Sequence, residues 1–296
     1  MKTNEISKLL KENDIRIHSY IKKNNYYIVD TNKGKFIVKK NINRKNIYDY
    51  LKARGFTHYP KILINDNYQL IEYIEDTDMP EERKSEDLIN LISTLHNKTT
   101  FYKEINNEEY LSIYEELSKK YNDVYNYYTC LVDDLDNEIF YSPSNYLLLR
   151  NISLIFESLN MGKGYLEEWL EKTQKEENIR LSIINNNVSL DNYRQTDIPY
   201  LIDWDKSKID MPIFDLCSFY KNQINVDYYE ILKRYEKKYP LKNIEKDLLI
   251  ILLLVPDKIK LIGNDYSICK KIRNCIDRLS KTQKFFFKYQ KSIHKD

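Results

Sequence analysis

Glycine and alanine are scarce in this 296-residue chain, which holds 5 glycines and a single alanine, Ala53. In their place stand 27 tyrosines and 30 asparagines, and Lys, Asn, Ile and Tyr are the residues of A/T-rich codons. A run of asparagines therefore carries less meaning here than in an average composition. The four cysteines, Cys130, Cys217, Cys269 and Cys275, form no C-x-x-C pair, which excludes the usual spacings of a zinc cage or a disulfide framework. Cys269 and Cys275, six apart on an expected helix, read as core residues. The histidines (His18, His58, His96, His294) are equally scattered, so a histidine-based metal centre is not expected. Charge of one sign is lacking as well: 47 basic against 45 acidic residues leave a net +2. Such a chain has no global field with which to grip a phosphate backbone, and a nucleic-acid partner is disfavoured. The longest apolar run, Leu248 to Val255, has eight residues, where a bilayer core needs about 20. The opening MKTNEISKLLKEND has no apolar stretch of the signal-peptide kind. The expectation is a soluble, cytoplasmic protein with no membrane span.

What is present is a globular composition, 42% hydrophobic and 31% charged, long enough for two domains or for one domain with two lobes. Ile6, Leu9 and Leu10 predict a helix over residues 4–13. From Ile15 the pattern turns to strands, IRIHSYI, YYIVD and KFIVKK. The turn TNKGK joins the last two as a hairpin in which Gly34 supplies positive φ. Residues 43–54 predict a short helix closed by Gly55, and KILIND and YQLIEYI predict two more strands. Beyond about residue 78 the pattern is mostly helical. Ser85 is placed to cap a helix with Leu88, Leu91, Ile92 and Leu95 on one stripe. Further helices are expected over 107–131, from Ser142-Pro143 to about Leu159, over about 163–176, and from Ile213 to the end. Strand pairing is expected to return only at LSIINNN and YLIDWD, around a turn near 195–199. The fold class is α+β. Residues 1–75 are expected to hold a five-stranded sheet and one helix, and residues 76–296 a helical part with a hairpin at 181–206.

The candidate chemistry concentrates between Asn185 and Asp215, in NNNVSLDNYRQTDIPYLIDWDKSKIDMPIFD. Asn192 stands five positions after Asn187, Ile202-Asp203-Trp204 follows, and Asp210-Met211-Pro212-Ile213-Phe214-Asp215-Leu216 closes the stretch. An Asn amide oxygen and an Asp carboxylate at the two ends of a hairpin can converge on a Mg²⁺ that bridges nucleotide phosphates. The stretch resembles the catalytic segment of the aminoglycoside and choline phosphotransferases: H-G-D-x-x-x-x-N, a short hairpin, I-D-W or I-D-F/Y, then D-P-x-x-D-L. The resemblance extends over about residues 15–280. It implies a bilobal protein-kinase-like fold, with a small antiparallel-sheet N-lobe and a larger helical C-lobe. It also implies ATP or GTP with Mg²⁺ as cofactors, and Asn192 and Asp203 as the metal ligands.

Alternation along Phe36-Ile37-Val38-Lys39 puts Ile37 and Lys39 on one face of a sheet, and Lys40 on the other. The resemblance implies that the first face looks onto the nucleotide and that Lys39 pairs its α- and β-phosphates. Leu70-Ile71-Glu72-Tyr73-Ile74 resembles the inter-lobe segment that reads adenine through backbone groups, which makes the Glu72 carbonyl and the Ile74 amide the candidates. The ending Leu95-His96 looks like the family's L-x-x-L-H element, with His96 in a structural role. Within the group, the Tyr- and Lys-rich helical insert near 107–176 and SPSNYLLLRN look most like the spore-coat CotS-type kinase-like proteins of low-GC Gram-positive bacteria. That implies a spore-associated location.

The departures are equally informative. Where the family has H-G-D, this chain has Asn185-Asn186-Asn187. Asn187 thus stands at the catalytic position as an amide, without the basicity to take a hydroxyl proton, a loss that typically costs about 10²–10⁴ in rate. Asn185 replaces the imidazole that would brace the loop. Lys22-Lys23-Asn24-Asn25 fills the first hairpin turn where the family has a glycine-rich loop. No Glu lies between Lys39 and Gly55 to pair with the lysine, and Asp49 is the only acid there. Three functions remain open: a nucleotide-binding pseudokinase, an ATP-dependent kinase of a small-molecule hydroxyl, and a structural protein of a spore-coat-like assembly. Residue 187 separates the first two, and convergence of Lys39, Asn192 and Asp203 separates the first from the third. The sequence names neither an acceptor nor a protein partner. The C-terminal KTQKFFFKYQKSIHKD reads as the end of a solvated amphipathic helix.

Overall fold

The computed structural model describes residues 10, 13–65, 67–223 and 225–293. The helix expected over 4–13 falls mostly outside these residues, as does His294. The strands are β1 (Ile17–Lys22), β2 (Tyr26–Thr31), β3 (Gly34–Lys40), β4 (Ile62–Ile64), β5 (Tyr68–Glu72), β6 (Phe101–Glu104), β7 (Asn178–Ile184), β8 (Tyr193–Gln195), β9 (Pro199–Leu201) and β10 (Lys208–Asp210). The helices are α1 (Lys45–Ala53), α2 (Glu81–Thr99), α3 (Asn107–Asp136), α4 (Pro143–Arg150), α5 (Ile152–Thr173), α6 (Ile213–Asn222), α7 (Tyr228–Glu236), α8 (Asn243–Leu254) and α9 (Asp265–Ile293). Packing divides the chain into two compact units, residues 1–100 with 182–210, and residues 101–181 with 211–296. The expected division at residue 75 follows secondary structure. Packing groups 76–100 and the 182–210 segment with the sheet.

The first unit is built on a five-stranded antiparallel sheet in the order β1-β2-β3-β5-β4. β2 and β3 form the expected hairpin, with Thr31 facing Gly34 across two residues. Gly34 takes φ +103°, a conformation that glycine enters without a Cβ clash. Alternation along β3 buries Val38 completely, in a cluster with Leu10, Ile15, Val29, Tyr68 and Leu70, and so turns Ile37 and Lys39 to the opposite face. A one-residue slip would push Lys39 into that core, which is why the register is firmly set. Gly55, φ +67°, closes α1 as expected. α2 starts a turn earlier than its expected Ser85 cap. Pro80 precedes it, Glu81 and Glu82 fill the first turn where the helix dipole favours acid, and Ser85 is buried inside. Residues 182–184 pair with β10, a strand not expected from the sequence, and β8 pairs with β9 in a small hairpin.

In the second unit, β6 pairs with residues 178–181, and the rest is helical. Asn106 caps α3 by accepting the Glu109 N–H at 2.9 Å. Ser142 and Pro143 open α4 as expected. The helix expected to reach Leu159 breaks instead at Asn151, and α5 runs on from Ile152 to Thr173 through Gly162 and Gly164. Gly162 serves close approach here, because the Tyr121 ring of α3 fills the space a Cβ would need. The Tyr121 hydroxyl then donates to the Ile251 carbonyl at 2.6 Å. The apolar run Leu248–Leu254 is buried in α8, the pattern of a helix enclosed on all sides. Among the described residues, no helix is long and apolar enough to cross a membrane.

Candidate functional site

Asn185, Asn186 and Asn187 follow directly on β7. Asn186 takes φ +56°, a left-handed conformation in which asparagine is enriched among non-glycine residues. Asn185 is fully buried. Its Nδ2 donates to the carbonyls of Ile202 (3.4 Å) and Asp203 (3.2 Å), and its Oδ1 accepts the Asn187 N–H (3.2 Å). The expectation of an unbraced loop is therefore corrected. A buried amide ties the loop to the segment around Asp203, because it offers donors and an acceptor at once.

Asn187 Nδ2 donates to Asp203 Oδ2 at 2.6 Å, and Asn192 Nδ2 donates to the Asn187 carbonyl at 2.8 Å. The Ile202 N–H donates to the Asn192 carbonyl at 2.8 Å, so the two ends of the β8–β9 hairpin are joined. Asp203 sits at φ +54°, a strained conformation of the kind that gathers at functional sites. Among the described residues, no donor reaches Asn192 Oδ1. The Asp203 carboxylate and the Asn192 amide oxygen are both hard-oxygen donors. Mg²⁺ commonly takes one or two protein ligands of this kind and completes its octahedron with phosphates and water. By donor chemistry the two side chains fit that ion. Among the described residues, no three His, Cys, Asp or Glu side chains gather into a larger metal cage.

Lys39 reaches the same place from β3. Its Nζ lies 2.5 Å from Asp205 Oδ1 and 3.7 Å from Asp203 Oδ1, with the side chain 16% exposed. The acid that pairs with it is thus Asp205 and not Asp49. Arg44 adds two donors to the Asp205 carbonyl, from Nε (3.2 Å) and Nη2 (3.0 Å). Between the two aspartates, Trp204 is buried edge-on among Tyr48, Phe56 and Tyr59, and its Nε1 donates to the Leu201 carbonyl at 2.7 Å. The indole thereby anchors the carboxylates on either side of it. The Tyr48 phenol is pushed far above its usual pKa, first by burial and then by Asp205 and Asp203. Asp205, Arg44 and Tyr48 were not singled out in the sequence. The one signal was the second aspartate of IDWD, which stands 166 positions from its lysine.

At the end of β5, the Glu72 N–H donates to the Lys61 carbonyl, and its carboxylate accepts the Lys61 N–H. The Tyr73 N–H goes to the Lys35 carbonyl. The Ile74 N–H has no acceptor among the described residues. Just beyond, Thr77 donates twice to the Gln195 carbonyl, and Asp76 accepts from the Gln195 N–H and from Lys84. These bonds pin the segment to β8. Burial works to raise the Asp76 carboxyl, but Lys84, the Gln195 N–H and Arg194 outweigh it and hold the group below its usual value. His96 is fully buried in α2, and Asp215 is fully buried in the first turn of α6.

No protein-family model matches the chain, and no curated protein matches it in sequence. Solved structures do match it. An aminoglycoside phosphotransferase from Alicyclobacillus acidocaldarius superposes with a TM-score of 0.71 at 11% identity, over 95% of this chain and 93% of that one. The AMP complex of spectinomycin phosphotransferase, APH(9)-Ia, superposes with a TM-score of 0.62 at 12% identity, over 95% and 98%. The same enzyme with ADP and spectinomycin gives 0.56 at 13% identity, again over 95% and 98%. At this identity it is the fold that the chains share. This chain has the α+β, kinase-like fold of the aminoglycoside phosphotransferases.

Proposed function

We propose that the first unit binds a nucleoside triphosphate, ATP or GTP, with Mg²⁺, and that the protein is a pseudokinase. It would keep the nucleotide and metal side of a phosphotransferase site without the general base. Asn192 and Asp203 would hold the ion, which supplies charge neutralisation at the phosphates. Lys39 meets the α- and β-phosphates, with Asp205 as its counter-ion when no phosphate is there. The Glu72 carbonyl and the Ile74 N–H take the base edge. The observation that carries this reading is the 2.6 Å contact from Asn187 Nδ2 to Asp203 Oδ2. It spends the amide's donor on the carboxylate and leaves Oδ1, which accepts a hydrogen bond but has no basicity to take a proton. The AMP and ADP in the spectinomycin phosphotransferase structures support a nucleotide ligand.

A second reading, a slow kinase of a small-molecule hydroxyl, is favoured by the Asn185 brace. Phosphoryl transfer depends mostly on positioning and charge, and the loop is held in place. Thermal melts with Mg·ATP and Mg·GTP test the proposal. Ligand at about 100 times its Kd stabilises the folded state by about 2.7 kcal/mol, and Asp203→Ala should abolish the shift. A shift that survives in Asp203→Ala overturns the metal assignment. No shift with either nucleotide favours the assembly-protein reading, with its spore-associated location. Turnover of an acceptor at roughly 1–100 s⁻¹, as in ordinary kinases, refutes the pseudokinase.

A further inference from the structure

A separate charged site lies wholly within the helical unit. A cavity of about 500 Å³ is lined by Lys221 at the end of α6, by residues 257–260 after α8, and by one face of α9. Its wall carries Lys221, Lys258, Lys260, Lys271 and Arg278 against one carboxylate, Asp257. Five cations around one cavity are a local excess in a chain whose net charge is +2.

The wall is built and not a loose fringe. Arg278 is 2% exposed, and its Nη2 lies 3.0 Å from Asp257 Oδ2. The Tyr127 and Tyr128 hydroxyls of α3 donate to the carbonyls of Ile259 (2.6 Å) and Asp257 (2.5 Å), which fixes the segment that presents Lys258 and Lys260. Arg278 takes up the only carboxylate of the wall. Among the described residues, Lys221, Lys260 and Lys271 have no carboxylate within 4 Å, and Lys258 lies over the Tyr127 ring. The Lys120 ammonium of α3 is held below its ordinary pKa, first by burial and then by Lys221. Like charges held together in a partly enclosed space repel one another until an anion joins them.

We propose that this cavity binds a small molecule carrying two or more phosphoryl groups. It shares no residue with the nucleotide site of the first unit and does not depend on that reading. Its volume lies in the range of small-molecule sites, about 300–1,000 Å³, and lysines act on phosphate as point charges. Inorganic tripolyphosphate, titrated calorimetrically without Mg²⁺ into the full chain, is the probe. Three proteins are compared: wild type, Lys39→Met, and the triple variant Lys258→Gln, Lys260→Gln, Lys271→Gln. The three lysines of the triple variant are exposed, so it is expected to fold. Lys260→Gln alone, with a smaller loss, replaces it if it does not. The expected result is saturable binding that weakens with salt, persists in Lys39→Met, and falls roughly 10- to 100-fold in the triple variant. No saturable binding at low ionic strength, or binding unchanged in the folded lysine variants, overturns the proposal.

Discussion

The Asn187→Asp variant sets two carboxylates where the protein has a hydrogen bond. In the wild type, Asn187 Nδ2 donates to Asp203 Oδ2 at 2.6 Å, a bond to a charged acceptor of the kind that contributes about 1.5–3 kcal/mol. Aspartate is nearly isosteric and keeps the backbone carbonyl that Asn192 uses, but it cannot make this bond. Two carboxylates that rotate apart to about 4 Å repel by about 1 kcal/mol at the dielectric constant of water and by about 4 kcal/mol at an effective value of 20. The Asp203 side chain is 37% exposed, which favours the lower part of that range. The combined loss without a cation is about 2–5 kcal/mol, or a melting point lowered by roughly 5–15 °C for a chain of this size. Millimolar Mg²⁺ should return most of it, because the same pair then converges on a cation. Melts of variant and wild type in EDTA and in MgCl₂ read this directly. A variant that melts with the wild type in EDTA, or that responds to Mg²⁺ no more than the wild type does, refutes the reasoning. The substitution also places a carboxylate able to accept a proton on a loop that Asn185 already holds. Phosphoryl transfer, or slow ATP hydrolysis, should rise by roughly 10²–10⁴ if base loss is the only lesion.

Asn185→Ala removes a fully buried amide and leaves two carbonyls and an N–H short of a partner. Urea unfolding should show a loss of about 2–4 kcal/mol, and a loss below about 0.5 kcal/mol would mean the amide is no brace. For Gly162→Ala, helix propensity alone predicts a gain of about 0.5–1 kcal/mol. The Tyr121 ring leaves no room for the added methyl, so the expected outcome is a loss of about 1–3 kcal/mol, and a stabilised variant would contradict the packing. The Asp76 pKa is lowered on folding, so its contribution is present above the unfolded carboxyl value and is lost as pH falls through the folded one. The stability difference between wild type and Asp76→Asn should therefore be full at pH 6 and shrink below about pH 4. A difference that is flat from pH 6 to pH 3 would show that the ionised carboxylate does not stabilise the fold.

Much of the fold could be read along the chain because its determinants are local. The TNKGK turn needs only Gly34 at positive φ, and the burial alternation that turns Lys39 away from Val38 is written in four consecutive residues. Ser142 and Pro143 mark the start of α4 by themselves. The spacing of Asn187, Asn192 and Asp203 could also be read, since one short hairpin separates them. Where local signals competed, packing decided. The break expected between Leu159 and residue 163 is absent, and Gly162 within that stretch is a contact point for Tyr121. Ser85 reads as a cap, but it lies buried inside a helix that acidic residues extend by a turn.

The rest depends on residues far apart in sequence, whose meeting costs chain entropy that only the whole fold can offset. The partner of Lys39 is Asp205, 166 positions away, and no pattern near either residue announces the pair. Asn185 looked like a lost histidine until burial gave its amide two carbonyls and an N–H to hold. Local periodicity fixes which face a side chain takes. Which groups share that face across the chain, and therefore which charge is paired with which, is settled only when the distant segments pack together.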